Sequence, residues 1–377
     1  MSSKKRIAIL GATGSIGKSS LDIISRDACN FEVVLLASRS SRGSLAELSK
    51  QYPKAVCILE ERDDKEKLLS SIEELKPDVT INGISGAAGL EPSIAAIKAG
   101  SHLALANKET IVMAGKYVLQ LAKEKNVNII PVDSEHSAIF HLLKAYTKEE
   151  FNHREHGVIN LIKEIILTAS GGPFRNYNTE KMRAVTVQDA LSHPTWNMGP
   201  KITIDSASMA NKGLEIIEAC VFFNMPSEKI KVVIHPQSIV HSMISLCNGV
   251  IYAQMSKPDM RHPIHDAIYW PSTTPSSLEP VSFDNLTLEF FKPDTEKFPM
   301  LRLAWEAAKK GALFPCAYNA ANEIAVAAFM ENKIGFLDIP RITESVLQED
   351  FSGDCMNLDT ILNADKDARK KANSLIN

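Results

Sequence analysis

The sequence has 377 residues, more than one hydrophobic core ordinarily serves, so two or three domains are expected. Hydrophobic residues make up 45% and charged residues 23%, the balance of a folded globular chain, and no uninterrupted apolar run approaches the length of a membrane span. A net charge of −3 argues against a broad surface for nucleic acid or anionic membrane, so neither is expected as a partner.

A strand-like run opens at Arg6, almost at the first residue, which leaves no room for a signal or transit peptide and leads to the expectation of a cytoplasmic protein. The six cysteines (Cys29, Cys57, Cys220, Cys247, Cys316, Cys355) are scattered, with no C-x-x-C pair. Reduced thiols fit that pattern better than a disulfide framework or a zinc knuckle.

The first third alternates short β-branched runs with helical patterns. Strands are expected at 7–10, 31–37, 55–59, 79–82, 102–106 and 128–132, with helices at 21–26, 45–51, 65–75 and 111–125. Repeated strand–helix units imply an α/β fold with a Rossmann-like parallel sheet, its ligands lying beyond the carboxyl ends of the strands. The middle third reads as α+β. It has strands at 158–169 and 232–234, a hairpin of 242–246 and 250–255 turning at Asn248-Gly249, and one helix over 207–223. Five prolines from Pro271 to Pro299 mark a linker or belt, and the remainder is helical in pattern, including 319–330. The expected division is a dinucleotide-binding domain at 1–133, a catalytic (connective) domain at 134–270, a proline-rich linker at 271–299 and a C-terminal helical domain at 300–377.

The first strand runs into Gly11-Ala12-Thr13-Gly14-Ser15-Ile16-Gly17. Glycines at this spacing permit a tight turn, close approach of backbone to a pyrophosphate and packing of the next helix, whose N-terminal amides then face the anion. NAD sites usually place an acidic residue near the end of the second strand; here stands Ser38-Arg39-Ser40-Ser41-Arg42, without a carboxylate. Two arginines among hydroxyls suit a 2′-phosphate and favour NADP over NAD, the alternative being a basic surface turn. The fourth strand ends in small residues, Asn82 to Gly89, which suit either backbone beside a ligand or a plain loop.

The fifth strand ends in Ala106-Asn107-Lys108-Glu109 and the sixth in Val132-Asp133-Ser134-Glu135-His136. Asp133 and Glu135 can share one hard cation, for which oxygen ligands suit Mg²⁺ or Mn²⁺ better than Zn²⁺. The alternative is that both merely cap the following helix. His136 reads as a packed neighbour. Further on, Ser170 with Gly171 and Gly172 forms either an anion nest or a turn without a ligand. The segment from Ser192 to Pro200, with His193 and Trp196 between proline and glycine, has the composition of a lid that closes over substrate. Asn211, Lys212 and Glu215 share one helix face; Lys212 can meet a substrate's negative charge and Glu215 supply a third carboxylate, unless the two are a solvated pair.

Taken together, these segments resemble the 1-deoxy-D-xylulose 5-phosphate reductoisomerase family. The matching motifs are G-A-T-G-S-I-G at 11–17, L-A-N-K-E at 105–109, P-V-D-S-E-H at 131–136, S-G-G-P-F at 170–174, H-P-T-W-N-M-G at 193–199, D-S-A-S-M-A-N-K-G-L-E at 205–215, H-P-Q-S at 235–238 and N-A-A-N-E at 319–323. They stand in the family's order along essentially the whole chain. The resemblance implies that Thr13, Gly14, Ser15 and Ile16 hold the NADPH pyrophosphate, that Arg39, Ser40 and Ser41 form the adenosine-phosphate turn, and that Asn107, Glu109 and Gly199 touch the cofactor. It implies a metal site of Asp133, Glu135 and Glu215, holding Mg²⁺, Mn²⁺ or Co²⁺. Substrate contacts fall on Lys108, Ser134, Glu135, Ser170, His193, Ser206, Asn211, Lys212 and Glu215. Trp196 and Met198 belong to the lid, and Lys108 and Glu135 assist proton movement.

The activity implied is rearrangement of 1-deoxy-D-xylulose 5-phosphate and its NADPH-dependent reduction to 2-C-methyl-D-erythritol 4-phosphate, in the non-mevalonate isoprenoid pathway, by a homodimer. Retro-aldol cleavage and recombination is the favoured route, a concerted shift the other. Two competing readings are another NADP-dependent semialdehyde or sugar-phosphate dehydrogenase, which needs no convergent carboxylates, and a non-catalytic NADP-binding sensor, which needs neither the acidic residues nor a closing loop.

Overall fold

The computed structural model of the chain describes residues 4–63, 65–146, 161–196 and 198–376. Its contacts divide it into two compact units. One comprises Met1–Thr110, Val118–Ser137 and Asp259–Leu278; the other comprises Ile111–Tyr117, Ala138–Pro258 and Glu279–Asn377.

The first unit is built on a parallel sheet of β1 (Lys5–Leu10), β2 (Phe31–Ser38), β3 (Val56–Leu59), β4 (Val79–Asn82), β5 (His102–Leu105) and β6 (Ile129–Pro131), in the order β3-β2-β1-β4-β5-β6. Each strand lies where its β-branched run predicts, to within two residues. Ile7, Ile9, Leu35, Leu36, Ile81 and Leu103 are completely buried. That is why these strands read as continuous apolar runs: helices such as Ser15–Arg26 and Leu90–Lys98 cover a parallel sheet on both faces. The strand order reverses between β1 and β4, and the crevice beyond their carboxyl ends is where such sheets take ligands.

Asp259–Leu278 departs from the expected boundaries, since it packs within the first unit rather than closing the catalytic domain and opening the linker. Its helix, Arg261–Tyr269, buries Ile264, Ala267 and Ile268 completely, and the Tyr269 ring meets Phe31 edge-on at 5.1 Å. Burial of an Ile contributes about 1.5–3 kcal/mol, whereas an exposed ion pair such as Arg261–Asp22, at 3.2 Å, contributes under about 1 kcal/mol. Packing therefore docks this segment, and its polar contacts fix the register.

The second unit has a mixed sheet of β7 (Ile162–Ala169), β8 (Ile230–Ile234), β9 (Val240–Leu246) and β10 (Ile251–Met255), in the order β10-β9-β7-β8. Only β7 and β8 run parallel, and Gly249 turns the β9–β10 hairpin at φ +87°. Residues 158–160 of the strand expected at 158–169 lie outside the described residues. The belt is tied to this sheet by paired backbone hydrogen bonds of 2.8 Å between Ile234 and Phe291, and His235 stacks on Phe290 at 4.7 Å. Helices Pro299–Lys310, Phe314–Met330, Asp338–Val346 and Leu358–Ser374 complete the unit. The helix expected over 207–223 is present as Ala210–Phe222, and a further helix, Pro200–Ala207, precedes it where none was expected. Met209 breaks them with a left-handed φ of 64°, its side chain 3% exposed, while the Ser208 hydroxyl accepts the Ala210 amide. Tertiary burial of Met209 overrides the local cost of that conformation. No helix among the described residues is long and apolar enough to cross a membrane.

Candidate active site

In the first unit, the glycine turn is dictated by close backbone approach. Gly11 adopts φ +78°, and a Cβ there would sit 2.8 Å from the Gly83 carbonyl oxygen; the Gly11 and Ala12 amides both donate to Ala37 O. The Ser15–Arg26 helix follows with no side-chain cap, so its first-turn amides are available to an anion. Thr13 and Ser38 hydroxyls share a hydrogen bond of 2.7 Å, which joins the turn to the end of β2. Arg39, Ser40, Ser41 and Arg42 are exposed immediately beyond it.

Two asparagines shape the loop after β4. Asn82 donates to Gly89 O and Ser93 Oγ, and Asn107 donates to Ile84 O, Gly86 O and Glu109 Oε2. Asn107 also caps the Lys108–Lys125 helix by accepting the Thr110 amide. The side chain of Asn107 is thus spent on the loop, and Gly89 is required because a Cβ would lie 2.5 Å from it.

Lys108 and Asp133, at the ends of β5 and β6, are 5% and 12% exposed, and Lys108 Nζ lies 2.7 Å from Asp133 Oδ2. The other oxygen, Oδ1, accepts the Glu135 and His136 amides at 3.1 and 3.3 Å and stands 3.1 Å from His136 Nδ1. Asp133 Oδ1 thus caps the Ser134–Tyr146 helix, and Glu135, in the first turn of that helix, accepts a hydrogen bond from Ser134 Oγ at 2.6 Å. His136 is completely buried, and its Nδ1 stands beside Asp133 Oδ1.

In the second unit, β7 ends at Ala169, Ser170 follows it, and then come Gly171 and Gly172 at φ +85° and +65°. A Cβ on Gly172 would lie 2.6 Å from Ser206 O, so two consecutive left-handed glycines bring the nest against the Pro200–Ala207 helix. Ser170 Oγ is 3.2 Å from His193 Nε2. His193 Nδ1 accepts the Thr195 and Trp196 amides at 3.1 and 2.9 Å, so the neutral ring carries its proton on Nε2 and donates to Ser170. Burial holds the imidazole pKa below its usual value. The Trp196 ring is half-buried, 6.4 Å from that of His241, and Met198 and Gly199 lead into the Pro200 helix without regular structure.

On the Ala210–Phe222 helix, Asn211 Nδ2 donates to Glu215 Oε1 at 2.6 Å, and the Lys212 ammonium pairs with Glu215 Oε2. Lys212 and Glu215 are 4% and 1% exposed, which excludes the solvated pair. Burying opposite charges adds little net stability, but it fixes where both groups stand. Sequence reasoning missed Asp205 and Asn322, buried partners behind Ser206; the signal was the Asp205 of the D-S-A-S motif, which carries a charge at a helix position that packs inward.

A doubly wound parallel sheet with a glycine turn, no acidic residue after β2, and carboxylates at its strand ends defines an NADP-dependent oxidoreductase. Comparison with known proteins gives the family. Its models match residues 7–115 (1-deoxy-D-xylulose 5-phosphate reductoisomerase), 129–223 (the C-terminal domain of that enzyme) and 255–371 (DXP reductoisomerase C-terminal domain). The reductoisomerase of Pelodictyon phaeoclathratiforme is 46% identical over 99% of this chain and all of its own length, and that of Treponema denticola is 48% identical over 93% and 91%. A crystal structure of DOX-P reductoisomerase with NADPH, fosmidomycin and magnesium matches at a TM-score of 0.91 and 37% identity, covering 99% of this chain and 98% of that one. The Zymomonas mobilis enzyme with NADPH matches at 0.87 and 37%, covering 99% of both. The chain belongs to the 1-deoxy-D-xylulose 5-phosphate reductoisomerase family.

Proposed function

We propose that this chain rearranges 1-deoxy-D-xylulose 5-phosphate and reduces the product to 2-C-methyl-D-erythritol 4-phosphate, with NADPH and a divalent cation. The observation that carries the reading is the placement of Lys108, Asp133 and Glu135 at the carboxyl ends of neighbouring parallel strands, in a sheet whose first turn is built for a pyrophosphate. Thr13, Gly14, Ser15 and Ile16 receive the pyrophosphate, Arg39, Ser40 and Ser41 the 2′-phosphate end, and Asn107, Glu109 and Gly199 shape the rest of the cofactor's site.

Asp133, Glu135 and Glu215 hold the cation. Their donor set is oxygen only, which fits Mg²⁺, Mn²⁺ or Co²⁺ rather than a softer ion. When bound, NADPH supplies the hydride and the cation supplies Lewis-acid polarisation of the substrate's carbonyl and hydroxyl oxygens. Asp133 is aimed by two amides and His136, so its orientation is set before any ligand arrives. Lys108 and Glu135 assist proton movement at the substrate's hydroxyl and carbonyl oxygens, with Ser134 steadying Glu135.

Ser170, His193, Ser206, Asn211 and Lys212 receive the phosphate. A lysine about 4 Å from one phosphate charge contributes roughly 4 kcal/mol of Coulomb attraction at an effective dielectric of ~20, before desolvation. A net acidic chain therefore binds a dianion through local charge. Trp196 and Met198 close over the sugar and exclude water.

The active form is a homodimer in the cytoplasm. Support for the dimer is the outer strand β10, where Ile251 and Tyr252 are 53% and 44% exposed, an apolar edge that a second copy would cover. The net charge of −3 supports a small-molecule enzyme without nucleic-acid or membrane partners. NADPH oxidation dependent on 1-deoxy-D-xylulose 5-phosphate, and lost in EDTA, tests the proposal. Turnover that persists in EDTA indicates an ordinary dehydrogenase, and binding without turnover indicates a sensor.

A further inference from the structure

We infer that Asn322, on the Phe314–Met330 helix, is a positioning residue for the phosphate end of the substrate: through Asp205 it sets where Ser206 stands. The inference rests on the reading of Ser206 as a phosphate contact and goes beyond it to the C-terminal helices, which that reading leaves without a role.

The Pro200–Ala207 helix has eight residues, too few to hold its own shape by propensity. Local side-chain contacts and a tertiary one hold it. Thr203 Oγ1 donates to Gly199 O at 2.8 Å in the first turn, and Lys201 Nζ lies 2.8 Å from Asp205 Oδ2. At the far end, Asn322 Nδ2 donates to Asp205 Oδ1 at 2.8 Å, with the two residues 0% and 1% exposed. A buried carboxylate this poorly hydrated is directed by the donors that reach it. Asp205 is the residue before Ser206, so its direction fixes the peptide that carries the Ser206 hydroxyl. The next peptide, that of Ser206 and Ala207, packs so closely on Gly172 that a Cβ there would lie 2.6 Å from Ser206 O.

The Phe314–Met330 helix reaches the second substrate helix as well. Tyr318, one turn before Asn322, is completely buried, donates to Met300 O at 3.1 Å, and lies so close to Gly213 that no Cβ fits there. Gly213 follows Lys212. One helix thus backs both Ser206 and Lys212, and from it Asn322 donates a hydrogen bond to the Asp205 carboxylate.

Steady-state kinetics of the full-length enzyme test this with four variants. Asn322→Leu removes the donor, and Asn322→Asp sets a second carboxylate against Asp205. Each should raise KM for the sugar phosphate about tenfold, the usual cost of a lost hydrogen bond to a charged group, and leave KM for NADPH near its original value. Adding Asp205→Asn to Asn322→Asp restores a donor–acceptor pair with its polarity reversed and should return KM to within about threefold of the parent. Should Asn322→Leu not fold, the comparison of Asn322→Asp with the reversed pair decides. An unchanged sugar-phosphate KM in a folded single variant, KM values for both substrates rising together, or a reversed pair no better than Asn322→Asp overturns the inference. Ser206→Ala separates the underlying reading: if it leaves the sugar-phosphate KM unchanged, the phosphate contact itself is wrong, whatever the Asn322 variants do.

Discussion

Lys108 Nζ and Asp133 Oδ2 meet at 2.7 Å across the ends of β5 and β6, the lysine 5% and the aspartate 12% exposed. The two groups are 25 residues apart in sequence and become neighbours only because their strands are adjacent and parallel. Lys108→Ala leaves a mostly buried carboxylate without its ammonium, which costs about 3 kcal/mol of stability. Saturating Mg²⁺ should return most of that loss, because the cation brings charge to the same oxygen. Denaturant titrations with and without Mg²⁺ check this, and an equal loss in both would mean that Asp133 does not meet the cation.

Glu215→Gln should keep NADPH binding and abolish metal-dependent turnover. The amide preserves shape and a contact with Asn211 but lacks the charge that a divalent ion requires. Fluorescence titration of NADPH alongside turnover at increasing Mg²⁺ measures both halves, and near-normal turnover would remove Glu215 from the metal site.

Arg39→Ala should weaken NADPH about tenfold or more, the order of one charge-assisted contact, and leave NADH little changed. Equal losses for the two cofactors would take Arg39 away from the 2′-phosphate.

These sites were legible to different depths. The parallel sheet shows in the sequence because its strands are buried on both faces and read as unbroken β-branched runs. Once the strands are placed, topology alone puts Lys108, Asp133 and Glu135 at ligand-side ends. What stayed hidden depends on tertiary contact. The Pro200–Ala207 helix and the turn at Met209 that separates it from the next have no local signal, since a left-handed methionine is stabilised by its burial. Asp259–Leu278 docks by burying Ile264, Ala267 and Ile268 and by setting Tyr269 against Phe31, contacts between segments far apart in sequence. Asp205 and Asn322 are 117 residues apart, beyond the reach of any periodicity.

His193 gives a pH dependence with a definite sign. Burial lowers its native pKa from 6.5, so the folded state favours the neutral ring that accepts the Thr195 and Trp196 amides. Its contribution to stability is complete above the unfolded value and is lost as the pH falls from 6.5 through the lower native value. Below that range the segment carrying Trp196 should loosen. The difference in tryptophan fluorescence between the parent and Trp196→Phe reports it, and His193→Gln should abolish the transition. A transition that survives in His193→Gln belongs to another group.

Trp196→Ala should lower kcat/KM by one or two orders of magnitude, about 1.4 kcal/mol per tenfold step, while the thermal midpoint stays nearly unchanged. A cooperative loss of fold would instead make Trp196 part of the core around His241.

The contact of Tyr318 with Gly213 carries a lesson for engineering. Phenol and glycine fill one another's space, so the C-terminal helices are not a detachable module. A chimera that imports them from a relative must bring a matching Ala210–Phe222 helix as well, and a library that diversifies position 213 alone will sample mostly dead ends.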